Sequence, residues 1–206
     1  MPSSTRALEV ADAYRLAGEQ VDAATTAAGS GRVGLEIEWL PRLMDDTTRV
    51  AAHETVRHTV DTAGPGPGGC ASTFEPGGQY ELSSPPLSGV TAATTALGAD
   101  AIHVGTALAE AGVALIGLGL DPVRTSGRVV DSPRYAAMEA YFDAGGAAGR
   151  TMMRSTAAIQ VNLDLAAPGG GSPAARWQLA HALGPVLAAA FANSPFENGR
   201  PTGWRS

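Results

Sequence analysis

The sequence predicts an α+β fold: an antiparallel sheet with one face covered by helices. Three observations carry that reading. The strand-like segments alternate apolar and polar residues instead of being apolar throughout, which is the pattern of a sheet with one wet face. Helices and strands are mixed along the chain, which favours this class over a doubly wound parallel sheet. At 206 residues the chain is also long enough to bury a core.

Taken in order, residues from Thr5 to Ala28 place Val10, Tyr14, Ala17 and Val21 at helical spacing, with Gly29 as the stop, so an amphipathic helix is expected. Arg32 to Leu40 reads as a strand ended by Pro41. A helix is expected from Thr47 to Thr62, followed by the loop Gly64-Pro65-Gly66-Pro67-Gly68-Gly69. Phe74 to Ser84 reads as a hairpin with its turn at Pro76-Gly77-Gly78. Gly89 to Ala111 is a helix, and Val113 to Leu120 a short apolar strand. Ser132 and Pro133 supply an N-cap and a first-turn proline for a helix from Arg134 to Phe142. Arg150 to Leu165 is expected to contain one long alternating strand, and Ala174 to Asn193 an apolar helix kinked at Pro185. A polar, turn-rich tail closes the sequence.

Composition narrows the chemistry. The net charge of −6 gives nucleic acid no electrostatic attraction. All 14 basic residues are Arg, so a Walker lysine, a Schiff-base lysine and a Ser-Lys dyad are excluded within this chain. Any anionic substrate group must be held by Arg, backbone N–H or a metal. A single cysteine, Cys70, leaves no internal disulfide and suits a reducing cytoplasm. No apolar run of membrane-spanning length is present.

Two motifs are decoys. Gly64 to Gly69 spells G-x-G-x-x-G, but a helix precedes it and two prolines interrupt it, whereas the dinucleotide fingerprint needs a strand before and a helix after. His53 and His58 are five residues apart instead of four, which turns the second off the first one's face and removes the zinc-helix reading.

The informative residues are acidic. In an extended chain Glu36 and Glu38 share one face while Leu35, Ile37 and Trp39 share the other. Gln79, Glu81 and Ser83 share a face of the hairpin. Farther on, Thr156, Ala158, Gln160, Asn162 and Asp164 alternate with Ala157, Ile159, Val161, Leu163 and Leu165. Such a polar face either meets water or holds a cation. Buried together, the carboxylates would repel and raise one another's pKa, and a divalent cation removes that repulsion. Hard oxygen donors at Glu36, Glu38, Glu75 and Glu81, with Gln160, suit Mg²⁺ and a nucleotide better than zinc.

Five blocks then carry a resemblance: Gly34 to Glu38, Thr73 to Ser83, Gly117 to Pro122, Met152 to Asp164 and Phe191 to Phe196. In this order they resemble the glutamate-cysteine ligases, and within them the plant-like branch that includes the actinobacterial enzyme of ergothioneine biosynthesis. The resemblance implies an ATP-dependent ligation of L-glutamate to L-cysteine through γ-glutamyl phosphate, and a funnel of antiparallel strands like that of glutamine synthetase. It implies Mg²⁺ at Glu36, Glu38, Glu75 and Glu81, a further metal ligand at Gln160, and Asn162 beside it in the nucleotide site. Arg134, Arg150, Arg154 and Arg205 are candidates to bind the α-carboxylate of glutamate or the transferred phosphoryl group, Arg134 and Arg154 foremost, against the alternative of ordinary surface ion pairs. Tyr135 and Met138 either line a substrate pocket or pack in the core. Residues 1–206 read as the N-terminal part of one catalytic domain, which would leave a sheet edge unpaired and open to association. A module that binds Mg²⁺ or glutamate without turnover, and a ligase using another amine, are the competing readings.

Overall fold

The computed structural model describes residues 9–26, 31–123, 127–166, 169 and 171–203. Its centre is β1 (Val33–Leu43), paired antiparallel on one side with β3 (Tyr80–Ser83), which in turn pairs with β2 (Ala71–Phe74). The other side of β1 is shared by β4 (Val113–Ile116) along Leu40 to Leu43 and by β5 (Ile159–Leu163) along Val33 to Ile37. The antiparallel sheet of an α+β fold is therefore present, as expected.

One face of the sheet is packed by two helices, α2 (His53–Ala63) and α3 (Val90–Glu110). Val56 and Val60 of α2 and Val104 and Leu108 of α3 meet Tyr80, Leu82 and Val113 in one buried cluster, with Ile37 and Trp39 against it. Val33 and Leu35 pack on Ala93. A loop after α2 is tied down by Asp100, which accepts from the N–H groups of Gly68 and Cys70; this is the G-x-G-x-x-G segment, and it serves as the expected loop. His53 is half-buried edge-on to Phe74 and His58 is exposed.

Several expected boundaries move. Pro41 does not end β1: its carbonyl accepts from Ala51 N–H, so its missing N–H lies on that side and the pairing of Pro41 with Leu115 in β4 is spared. The helix expected from Thr47 starts at His53, because Asp46 folds back on Thr48 through its N–H (3.0 Å) and hydroxyl. β4 ends at Ile116, short of Leu120. The largest correction falls on Arg150 to Leu165. Residues Ala148–Ser155 form a helix, α5, packed on α4 (Pro133–Asp143), and only Ile159–Leu163 is strand. Met153 buried between Arg150 and Arg154 satisfies a helical period that also passes for an alternating one over so few residues.

Ser132 caps α4 by accepting from Tyr135 N–H at 3.2 Å. At the chain's ends, α1 (Val10–Thr26) lies within the expected Thr5 to Ala28 helix, and α6 (Pro173–Phe191) contains Pro185. No described side chain of α1 and none of α6 is buried. The face of β5 expected to be dry is not: Ile159, Val161 and Leu163 are 74%, 58% and 59% exposed. Helices thus cover the apolar face beneath β1 and β3 and leave it open beneath β5. A two-stranded ribbon, β6 (Phe196–Glu197) and β7 (Arg200–Pro201), follows α6, turning on Asn198 and Gly199, both at positive φ.

Candidate functional site

Strand register assembles the site. Glu38 lies directly opposite Glu81, and Glu81 opposite Thr73; Glu36 lies opposite Ser83 on one side and Gln160 on the other. Opposed residues of antiparallel strands share a face, so all these polar groups project from the side of the sheet that α2 and α3 leave uncovered. Glu75 is added by the β2–β3 turn, where Gly78 N–H donates to the Glu75 carbonyl at 2.8 Å and Gly78 takes φ +87°.

The turn is bolted in place from behind. The buried Gln79 side chain donates to the carbonyls of Met153 (3.3 Å) and Thr156 (2.8 Å) and accepts from Gly77 N–H (2.9 Å). A Cβ on Gly77 would come within 2.1 Å of the Arg154 carbonyl oxygen, so only glycine permits that approach. The end of α5 therefore fixes where Glu75 stands.

Carboxylate oxygens of Glu38, Glu75 and Glu81 lie within 4.8 Å of one another. Burial pushes the Glu38 carboxyl up to about 7, with Glu75, Glu81 and Glu36 adding to the rise and the Ala158 N–H (3.0 Å) opposing it. Glu75 is raised too, by burial first and then by Glu81, while Arg134 and the Tyr135 hydroxyl act in the other direction. Glu81 is buried and accepts from the Thr73 hydroxyl. These are carboxylates short of positive charge.

The remaining expected residues divide. Glu36 shares the face but stands outside the triplet and accepts from Asn162 Nδ2 at 2.7 Å. Gln160 and Asn162 are exposed on the neighbouring strand. Arg134 is exposed at the start of α4, its guanidinium 5.6 Å from the Tyr135 ring centre and its charge acting on Glu75. Arg154 is nearly buried and paired through Nη2 with Glu139, which also holds Arg128 at 2.9 Å; Arg154 Nε is buried without a partner. Arg150 is engaged by Asp143 on the surface between α4 and α5. Arg205 and Trp204 lie outside the described residues.

Sequence reasoning left Tyr135 open between pocket and core; it faces Glu75, and burial and that carboxylate both raise its hydroxyl pKa. Thr73 was missed, although its place opposite Glu81 follows from the hairpin register. Arg42 and Asp121 were missed as well. They form an ion pair whose side chains are 5% and 0% exposed, and Asp121 also accepts from Val123 N–H at 3.0 Å, pinning the loop after β4 to the end of β1. An isolated Arg and a distant Asp carry no spacing signal.

Comparison with known proteins gives consistent matches. A family model described as glutamate-cysteine ligase family 2 (GCS2) matches residues 32–206. The glutamate-cysteine ligase EgtA of Mycobacterium tuberculosis (strain ATCC 25618 / H37Rv) is 44% identical over 201 residues, covering 97% of this chain and 46% of that protein. EgtA of Mycolicibacterium smegmatis is 46% identical over 178 residues, covering 85% and 42%. The chloroplastic glutamate-cysteine ligase of Arabidopsis thaliana is 33% identical over 136 residues, covering 65% and 26%. The chain spans less than half the length of each of these relatives.

Proposed function

On the premise that the chain belongs to glutamate-cysteine ligase family 2, we propose that residues 1–206 form the N-terminal part of a catalytic domain joining the γ-carboxylate of L-glutamate to the amine of L-cysteine. ATP is the co-substrate, γ-glutamyl phosphate the intermediate, and γ-glutamylcysteine the product, made in the cytoplasm for ergothioneine or a related thiol. The observation that carries this reading is the convergence of Glu38, Glu75 and Glu81 from three separate segments within 4.8 Å. In this reading the sheet is one wall of a funnel of the glutamine-synthetase kind.

The residues fit a hard divalent cation. All three close donors are carboxylate oxygens, none is sulfur or imidazole, and the raised proton affinity of Glu38 and Glu75 is that of groups a cation would relieve. Glu38, Glu75 and Glu81 would hold Mg²⁺ there, with Glu36 and Gln160 extending the donor set, and the ion would supply positive charge to neutralise phosphate. The chain's own work is positioning. Gln79 fixes the turn that bears Glu75, and Ala158 N–H and Thr73 fix Glu38 and Glu81. Arg134, at the rim beside Glu75, is placed to draw an anionic substrate group toward the cluster. Arg154 is nearly buried against Glu139 and would have to be uncovered to serve the same end. Asn162 orients Glu36 and could turn to a nucleotide; Arg150 would have to leave Asp143 to do so, and Arg205 is carried in this set by resemblance alone.

A second reading is favoured by the open apolar face of β5: the chain is a module that holds Mg²⁺ or glutamate without turnover. ADP release with glutamate, cysteine and Mg²⁺ separates the two. Release by this chain, or by a chain completed to the length of its relatives, supports the first, and binding without release in both supports the second. No release from either removes the ligase reading. Other amines offered beside cysteine test the choice of acceptor. In the completed chain, Glu36→Ala or Glu81→Ala should lower turnover by two orders of magnitude or more with the fold intact; retained turnover in both would mean a merely solvated face.

A further inference from the structure

Two apolar surfaces of this chain lie open. On α1, Val10, Tyr14, Ala17 and Val21 form one stripe, with Val10, Tyr14 and Val21 at 73%, 77% and 53% exposure. Its other side carries Asp12, Arg15 and Glu19, linked by ion pairs. A helix with one apolar stripe and one charged side covers a single surface. On α3, Ala101, Ile102, Gly105, Thr106, Ala109 and Glu110 form a shallow, wide-open groove along one side of the helix, with no second wall among the described residues and with Ile102 at 73% exposure.

The glycines of α3 point the same way. Gly98 and Gly105 sit inside the helix, where glycine is the poorest former after proline, and a Cβ on either would meet nothing within 4 Å. None of the described neighbours requires them; a helix laid into the groove would. His103 ties the opposite flank of α3 to α2 through the Ala63 carbonyl (3.1 Å), and Val104 and Leu108 face the core. Helical phase therefore turns the groove away from α2 and toward the β5 side, where the apolar face of Ile159, Val161 and Leu163 is also bare.

We propose that α1 docks in this corner, antiparallel to α3, as the third helix of the layer that covers the sheet. Six residues separate Thr26 from Val33, a reach of at most about 25 Å, and Val33 packs beside Ala93 near the start of α3. The C-terminal end of α1 reaches the start of α3 with the linker partly folded, and the far end of α3 only with the linker fully extended. Val10 to Val21 and Gly98 to Ala109 each span about 16 Å of helix. Laid antiparallel, Val21 falls opposite Gly98, Ala17 opposite Ile102, Tyr14 opposite Gly105 and Val10 opposite Ala109, with Asp12, Arg15 and Glu19 outward. Helix α6 fits the corner less well: its exposed Leu179, Leu183, Val186 and Leu187 share one face, but the exposed Trp177 and Phe191 widen that face to about half the circumference, broader than one neighbouring helix covers.

The inference is independent of the proposed activity and is tested on the full chain. Ala17→Cys with Ile102→Cys should close an internal disulfide under mild oxidation at least tenfold faster than Arg15→Cys with Ile102→Cys. Equal rates, no bond, or bonds only between two chains would overturn it, the last pointing to a second copy in the corner. Hydrogen exchange on the unmodified chain keeps the test independent of those variants. Amides of α1 should exchange at least tenfold more slowly than in a peptide of residues 9–26, and Ile102→Asp, at an exposed position outside the core, should remove that protection. Unprotected α1 amides in the unmodified chain would refute the docking.

Discussion

Glu38→Gln should make the metal-free chain more stable at pH 8 and leave it unchanged at pH 4. Folding lifts the Glu38 carboxyl from 4.5 to about 7, so between those values the folded chain binds more protons than the unfolded one, and stability falls as pH rises through that window. At about 1.4 kcal/mol per pH unit the full rise would correspond to about 3 kcal/mol. The carboxylate is only half-buried, and solvent screening reduces the expected loss to about 1–2 kcal/mol. Glutamine keeps the acceptor for Ala158 N–H and removes the charge, so the variant should lack this decline. Mg²⁺ should reverse the order: at a hundredfold excess over its dissociation constant it adds about 2.7 kcal/mol to the parent, and less to the variant. Urea unfolding at pH 4, 6 and 8, with and without Mg²⁺, reads all of this. A parent whose stability is flat across the range, or a variant that responds to Mg²⁺ as the parent does, would refute the reasoning that these carboxylates lack a counter-charge.

Asp121→Asn leaves the Arg42 guanidinium buried without its partner and should cost about 3–5 kcal/mol, seen as a lower urea midpoint at unchanged slope; a loss under about 1 kcal/mol would mean that the pair is not insulated from water. Gly77→Ala, whose Cβ would strike the Arg154 carbonyl oxygen, should cost about 1–3 kcal/mol and weaken Mg²⁺ binding by displacing Glu75, which titration calorimetry would detect. Burial pushes the Cys70 thiol up to about 12, with Asp100 adding to the rise, so iodoacetamide at pH 8 should alkylate the folded chain at least about a hundredfold more slowly than the urea-unfolded one; comparable rates would place Cys70 in the open.

Much of the sheet and its acidic face was legible because period-two patterning survives wherever a strand has one dry side, as at Leu35, Ile37 and Trp39 with Glu36 and Glu38 between them. The hairpin was readable from its turn glycines, and α4 from Ser132 and Pro133. What failed was local ambiguity and long range. Thr151 to Ser155 is too short for helix and strand periods to be told apart, so α5 carries no signal that separates it from the strand that follows. The hidden pairings, Arg42 with Asp121 and Tyr135 with Glu75, depend on how distant segments approach, which no window of sequence displays. The bare apolar side of β5 was equally invisible, since alternation announces a face that wants cover and not whether the cover arrives.

The two edges of β1 are filled at very different distances along the chain. Leu35 meets Ser84 across 49 residues, whereas Glu38 meets Ala158 across 120. During synthesis the hairpin side can zip while the ribosome is still far from the fifth strand, and Glu38, Glu75 and Glu81 are then crowded together before the Ala158 amide that steadies one of them exists. A nascent chain held at that stage is the form in which early cation capture would help most, because closure over a long loop is slow.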